Sequence, residues 1–312
     1  MISHVVWAEW DDLKIPDGFK RLSPASAPLD GGNLGEITYF APPYMGGRDA
    51  LLPILQMPNL RVIQLPNAGY EDALEFMRPG VTLCNAQGVH DAATAELAIG
   101  LTIASLRGFP VFLHNQFEGK WVHERRKSLT DSRVGIVGFG SIGQMIARNL
   151  SGFEVETIGF SRSGSNRSKK LPELDGELPN LDVVILALPL NSESRGLFDA
   201  RRLALMKDGA LIVNVARGSI IETAALVAEL NSGRILAALD VTDPEPLPRG
   251  HPLWSAKGIL ISPHVGGDSP AFEPRFRHLV EDQLQRLKVG EVLRNIIING
   301  DETRERETDH AN

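Results

Sequence analysis

The chain has 312 residues, 43% of them hydrophobic, and a formal net charge of -7. At roughly 100–200 residues per domain, this length suggests two domains with ordinary cores. The acidic balance argues against a general nucleic-acid binder, which carries a basic face. A single cysteine, Cys84, excludes an internal disulfide and gives no basis for a cysteine-built metal site, as in a reducing compartment.

The first twelve residues lack the basic start and apolar core of a signal peptide. The longest apolar stretch, residues 97–106, is far short of the ~20 residues that a membrane helix needs. A cytoplasmic protein with no membrane or nucleic-acid partner is expected.

Strands are expected at residues 5–7, 37–40, 62–65 and 81–83, and short helices at 48–57 and 70–77. This alternation implies a parallel sheet covered on both faces. Residues 91–108 read as a helix that is apolar on most sides and therefore buried between domains or subunits. A second series starts at Arg133, with strands at 134–137, 155–160, 183–188, 211–215, 235–239 and 259–261. Ile142, Met145, Ile146 and Leu150 follow helical spacing, and a helix at 223–231 is closed by Gly233. These six strands form a doubly wound α/β pattern. A helix from Pro274 towards Lys288 and a short strand at 296–298 follow, the strand returning to the first domain. The polar tail, 301–312, is expected to be disordered.

The run Gly138-Phe139-Gly140-Ser141-Ile142-Gly143 follows a strand and opens an amphipathic helix, the setting of a dinucleotide-binding turn. Gly138 permits the tight turn, Gly140 lets the backbone approach a pyrophosphate, and Gly143 allows close helix–strand packing. The helix start, with Ser141 and Ile142, presents N–H groups and a partial positive charge to phosphates. An NAD-preferring site has an acid about 20 residues further on. Here that place reads Ser161-Arg162-Ser163, with Arg167, Lys169 and Lys170 beyond it. A carboxylate would repel a 2′-phosphate, whereas a guanidinium binds it bidentately and the two serines add hydroxyls. NADP(H) is the preferred cofactor on this reading, with NAD(H) still usable.

Three further segments end strands or open the loops after them: Asn214-Val215-Ala216-Arg217-Gly218, Asp240-Val241-Thr242-Asp243-Pro244-Glu245-Pro246 and Pro263-His264-Val265-Gly266-Gly267. Ligands of open parallel sheets bind at the carboxyl ends of strands. A 2-oxo acid needs a cation for its carboxylate, a proton for its carbonyl oxygen and a hydride for its carbonyl carbon. Arg217 supplies the cation and His264 the proton; Glu245 orients His264 and raises its pKa. His90, His114, His123 and His251 show no partner in sequence, and Trp121 and Trp254 read as packing residues.

In this order and spacing, the glycine turn and these three motifs resemble the D-isomer-specific 2-hydroxyacid dehydrogenases, most strongly over residues 133–267. The resemblance implies a Rossmann cofactor domain inserted into a flavodoxin-like substrate domain. The first part of the substrate domain is then 1–98, the NAD(P)-binding domain 99–271 and the return 272–300. In the family the arginine binds substrate, the histidine is the acid/base and the glutamate supports it. Asp240 resembles the aspartate that contacts the nicotinamide carboxamide. Pro189-Leu190-Asn191-Ser192 resembles the loop beside the cofactor, with Asn191 where threonine is more common. Asn67-Ala68-Gly69 resembles the turn whose N–H groups hold the substrate carboxylate, followed here by Tyr70-Glu71-Asp72 where the family often has Val-Asp. Ala95-Glu96 resembles the start of the interdomain helix. The family further implies an active site in an interdomain cleft that closes on substrate, and a homodimer involving the helix at 91–108.

The expected activity is reduction of a small 2-oxo acid such as glyoxylate or hydroxypyruvate to its D-2-hydroxy acid, and the reverse oxidation. Loops near Tyr44 and 67–70 would set the substrate side chain. The alternative is a nucleotide-sensing, corepressor-like binding protein of the same fold. Formate oxidation is disfavoured, because formate enzymes carry glutamine where Glu245 stands.

Overall fold

The computed structural model describes residues 4–30 and 34–300; the tail expected to be disordered lies outside the described residues. The chain divides into two compact units, one running through His90 and resuming at Pro270, the other spanning Asp91–Ser269.

The first unit opens with β1 (Val5–Trp7), β2 (Lys20–Leu22), β3 (Tyr39–Phe40), β4 (Val62–Gln64) and β5 (Thr82–Cys84). All pair in parallel in the order β2-β1-β3-β4-β5, the flavodoxin-like arrangement. β2 has no counterpart among the expected strands: only Leu22 of Lys-Arg-Leu is buried, so a solvated edge leaves no apolar alternation to read. The helices expected at 48–57 and 70–77 are 3₁₀ segments, Gly47–Gln56 and Glu71–Phe76. In the first of these, Pro53 has no N–H for the α ladder.

The second unit begins with α1 (Asp91–Arg107), which ends where Gly108 turns left-handed, and α2 (Phe109–Phe117). Then follow β6 (Arg133–Val137), α3 (Ser141–Leu150), β7 (Glu156–Ser161), β8 (Lys169–Lys170), α4 (Leu174–Glu177) and β9 (Val183–Leu186). α5 (Ala200–Leu205), β10 (Leu211–Asn214), α6 (Thr223–Ser232), β11 (Leu236–Leu239) and β12 (Ile259–Ile261) complete it. The sheet has seven parallel strands, β12-β11-β10-β9-β6-β7-β8, not six. The extra one is a two-lysine edge pairing with Phe160 and Ser161, too short and polar to read from sequence. β9 and β10 are buried at every residue, as a sheet covered on both faces requires.

α1 lies wholly in the second unit, so the expected 98/99 division would fall inside it. Its buried Ala95, Ala98, Ile99, Leu101 and Leu106 join a core with Ile136, Ile146, Val183 and Val213 of the same unit. The helix expected to be buried at 91–108 is α1, packed into its own unit's core, and exposed apolar side chains are carried by α2, which buries no residue. Among the described residues no single helix is long and apolar enough to cross a membrane.

The chain returns to the first unit with α7 (Phe272–Val289) and β13 (Ile296–Ile298). β13 pairs antiparallel with β5, so the strand expected at 296–298 does rejoin the first sheet. Phe276, Leu279, Val280 and Leu284 of α7 pack with Val6, Tyr39 and Val62 on one face of that sheet.

Candidate active site

The loops after β6, β9, β10, β11 and β12 all leave the carboxyl edge of the second sheet, where ligands of doubly wound sheets bind. The glycine turn lies between β6 and α3, beside β9, at the point where strand order reverses. Gly138 has φ +97°, and a Cβ there would come within 2.5 Å of the Ala187 backbone. A Cβ on Gly143 would lie 2.1 Å from the Gly138 carbonyl oxygen. Both glycines are therefore demanded by close packing. At Gly140 a Cβ would meet nothing within 4 Å, and no side chain caps the start of α3. The N–H groups of Ser141, Ile142 and Gly143 thus begin a helix open to an anion, an arrangement that fits a dinucleotide pyrophosphate.

At the end of β7 the three residues considered for a 2′-phosphate differ. Ser161 Oγ pairs with Ser168 Oγ at 2.7 Å and accepts the Gly164 N–H; Ser163 Oγ bonds Ser165 Oγ at 2.9 Å. Both hydroxyls are thus engaged in shaping the loop. Arg162 is exposed and makes no hydrogen bond or ion pair among the described residues. Lys169 is drawn away by Glu177. After β9, the Pro189 carbonyl accepts Ser194 Oγ at 2.8 Å, and Asn191 Oδ1 accepts the N–H groups of Glu193 and Ser194. Asn191 therefore closes this loop as an Asx turn.

Arg217, Glu245 and His264 come together. His264 Nδ1 donates to Glu245 Oε1, whose other oxygen accepts the Thr242 N–H at 3.3 Å. The Glu245 hydrogen bond raises the His264 pKa above the ordinary histidine value of 6.5, more than burial and the Arg217 charge lower it. Burial pushes the Glu245 carboxyl up, but the His264 bond and charge, the Thr242 N–H and Arg217 outweigh it and hold the pKa below 4.5. Each of the three side chains thus feels the other two. Arg217 Nη1 donates to the Ala216 carbonyl at 2.7 Å. A Cβ on Gly218 would fall 1.9 Å from the Thr242 carbonyl oxygen, so the Arg217 and Glu245 loops touch through that glycine.

Residues 99–266 match the family model described as D-isomer specific 2-hydroxyacid dehydrogenase, NAD binding domain. This chain belongs to that family. It is 35% identical to a glyoxylate reductase of Pyrococcus furiosus over 75% of each chain. It is 34% identical to a mouse glyoxylate reductase/hydroxypyruvate reductase, over 67% of this chain and 68% of the relative. A crystal structure of a D-isomer specific 2-hydroxyacid dehydrogenase from Xanthobacter autotrophicus, in complex with NADPH and MES, superposes with a TM-score of 0.76 at 27% identity. The match covers 95% of this chain and 98% of that one. The chain is accordingly an oxidoreductase with a nicotinamide-cofactor fold.

In the first unit of this family member, the turn Asn67-Ala68-Gly69 follows β4. Its carbonyl groups face inward: that of Asn67 accepts the Ala86 N–H at 2.9 Å, and that of Ala68 accepts Asn85 Nδ2 at 2.7 Å. His90 Nε2 hydrogen-bonds the neighbouring Pro66 carbonyl at 2.7 Å, giving a partner to a histidine that showed none in sequence. The N–H groups of Ala68 and Gly69 make no hydrogen bond among the described residues. Tyr44 stacks on Phe272 with ring centroids 3.9 Å apart, and His90 stacks on the same ring.

Sequence reasoning missed the residues that hold the site loops. Asn214, fully buried, accepts the Ala216 N–H and donates to the Arg217 carbonyl at 2.9 Å, which fixes the arginine's turn. A buried asparagine at a strand end, before a short turn, was the available signal. Among the other histidines, His251 caps a short 3₁₀ segment and His114 pairs with Glu118 on exposed α2. Trp121, expected to pack, is 99% exposed.

Proposed function

We propose that this enzyme reduces small 2-oxo acids to D-2-hydroxy acids, and that Arg217, Glu245 and His264 carry the reaction with NADPH as the preferred reductant. The observation that carries this reading is the hydrogen-bonded His264–Glu245 pair, with the Arg217 charge acting on both, at the carboxyl edge of the cofactor sheet. When bound there, the nicotinamide supplies the hydride to the carbonyl carbon. Arg217 holds the substrate carboxylate with its planar fork. His264, protonated and steadied at Nδ1 by Glu245, gives the Nε2 proton to the carbonyl oxygen as that oxygen gains charge. Oxidation runs the same transfer backwards, with neutral His264 as base. In the first unit, the unpaired N–H groups of Ala68 and Gly69 are of the kind that hold a carboxylate. The named activities of the Pyrococcus and mouse relatives support glyoxylate and hydroxypyruvate as the substrate class. The reading is tested by turnover of those two acids against pyruvate, which lacks the hydroxyl of hydroxypyruvate and adds a methyl group to glyoxylate; failure to consume NADPH with any of the three would overturn it.

The NADPH preference rests on Arg162. A guanidinium that is exposed and unengaged at the end of β7 is available to a 2′-phosphate, and no acid stands there to repel it. Losing a charge-assisted hydrogen bond of this kind costs about 1.5–3 kcal/mol, so Arg162→Ser should lower kcat/KM for NADPH roughly ten- to a hundred-fold. The same variant should leave kcat/KM for NADH unchanged. Equal losses with both cofactors would assign Arg162 to something other than the 2′-phosphate.

The pairing surface is α2 and the segment after it. Phe109, Phe112, Leu113, Phe117 and Trp121 are all exposed, Phe117 at 91%. An apolar patch of this kind needs a constant partner, and a second copy of the chain is always present at matching concentration. A homodimer built on α2 follows. Sedimentation should find the wild type dimeric and a Phe117→Glu/Trp121→Glu variant monomeric, with unchanged circular dichroism. A monomeric wild type at micromolar concentration would overturn it.

A further inference from the structure

Asp240 directly follows β11 with its side chain buried, and its oxygens are occupied within its own unit. Oδ1 accepts Ser262 Oγ at 2.6 Å and the Val265 N–H at 2.9 Å, and Oδ2 accepts the Gly266 N–H at 2.9 Å. Its backbone carbonyl accepts the His264 N–H at 2.8 Å. Three of these donors, from Ser262, Val265 and Gly266, bracket His264, whose own N–H is the fourth. His264 itself has φ +54°, in the left-handed region that residues with a Cβ rarely adopt. Such a conformation persists only where its surroundings over-determine it, and it clusters at sites where geometry matters.

We propose that Asp240 is a positioning residue: its carboxylate clasps the turn 262–266, holds His264 in its left-handed conformation and so keeps Nδ1 aimed at Glu245. The inference rests on the acid–base role given to His264 above. It differs from the part that family resemblance assigns to Asp240, a contact to the nicotinamide carboxamide. An ionised carboxylate has about four acceptor sites, and three of these are already filled by the chain itself. The clasp also ties the loop after β11 to the loop after β12. Asp240 grips the second loop while Glu245, five residues on, receives its histidine.

The test is amide hydrogen exchange over residues 262–268 in Asp240→Asn, together with NADPH affinity and the pH profile of reduction. The amide of asparagine replaces an oxygen with a donor, so at least one of the three donors faces another donor. Exchange in 262–268 should accelerate about tenfold or more, as local opening becomes easier, while NADPH Kd stays within about threefold of wild type. The charged groups facing the His264 ring are Glu245, Arg217 and Asp240. Removing the Asp240 charge and loosening the Glu245 bond both favour the neutral ring. The falling limb of the reduction profile should therefore move to lower pH, which a merely structural defect would not produce. Ser262→Ala, which removes one donor and keeps the carboxylate, should show smaller changes in the same directions. It serves if Asp240→Asn does not fold. Unchanged exchange with a tenfold weaker NADPH Kd would make Asp240 a cofactor contact and overturn the proposal, as would wild-type exchange and turnover together. Full turnover in His264→Gln would overturn the acid–base reading itself; faster exchange in Asp240→Asn would still support the clasp.

Discussion

His264→Gln should lower kcat for 2-oxo acid reduction by about 10²–10⁴-fold, the range that general acid catalysis contributes, with NADPH affinity unchanged. Glutamine keeps a hydrogen-bonding end near Glu245 but cannot release a proton at neutral pH. The same assignment fixes a pH dependence. Reduction needs the charged imidazole, so its rate should fall as pH rises through the His264 pKa, which lies above 6.5. Oxidation needs the neutral ring and should rise through the same value. The Glu245 hydrogen bond is the largest upward contribution, so in Glu245→Gln both transitions should move to lower pH. A kcat that survives His264→Gln, or limbs that stay in place in Glu245→Gln, would remove the proton transfer from this pair.

Arg217→Ala should lower kcat/KM by about 10²-fold, since a charged hydrogen-bond partner of a carboxylate is worth about 1.5–3 kcal/mol. Arg217→Lys should recover only part of this, because an ammonium cannot reproduce the planar fork. Much of the loss should appear in KM, reflecting binding of the substrate carboxylate. The loops around Arg217 make the interpretation clean: Asn214 holds its backbone and Gly218 brings it against Thr242, so truncating the side chain leaves the turn in place. A variant that lost activity without any change in KM would indicate that Arg217 acts on the carbonyl rather than the carboxylate. Steady-state kinetics over a range of 2-oxo acid concentrations distinguishes the two.

Much of this architecture is legible in the chain because parallel sheets write themselves plainly. β9 is an unbroken apolar run and β10 is apolar up to its closing Asn214, since both faces are covered. The glycine turn is legible for a steric reason: side chains at Gly138 and Gly143 would collide with the Ala187 backbone and with Gly138 itself. β2 and β8 are not legible, because edge strands of two or three residues rich in lysine and arginine show no alternation. The exposed apolar face of α2 was not legible, because composition reports apolarity and not which side of the fold it meets. The trio could be picked out by residue type and spacing. What orients it could not, since Asp240, Ser262 and Gly266 act through hydrogen bonds across 22 to 26 residues of sequence. Ser161 and Ser163 looked available to a phosphate, yet their hydroxyls close their own loop and leave Arg162 as the group that faces outward.

Central to the proposed function is stereospecific reduction of a 2-oxo acid by the trio on the cofactor sheet. Hydroxypyruvate tests it most directly, because its reduced product is chiral. Incubation of the wild-type protein with NADPH and hydroxypyruvate, followed by chiral separation, should give D-glycerate in step with NADPH consumed. L-Glycerate, or NADPH that binds tightly yet is not consumed with hydroxypyruvate, glyoxylate or pyruvate, would contradict the account and leave a nucleotide-binding protein in its place.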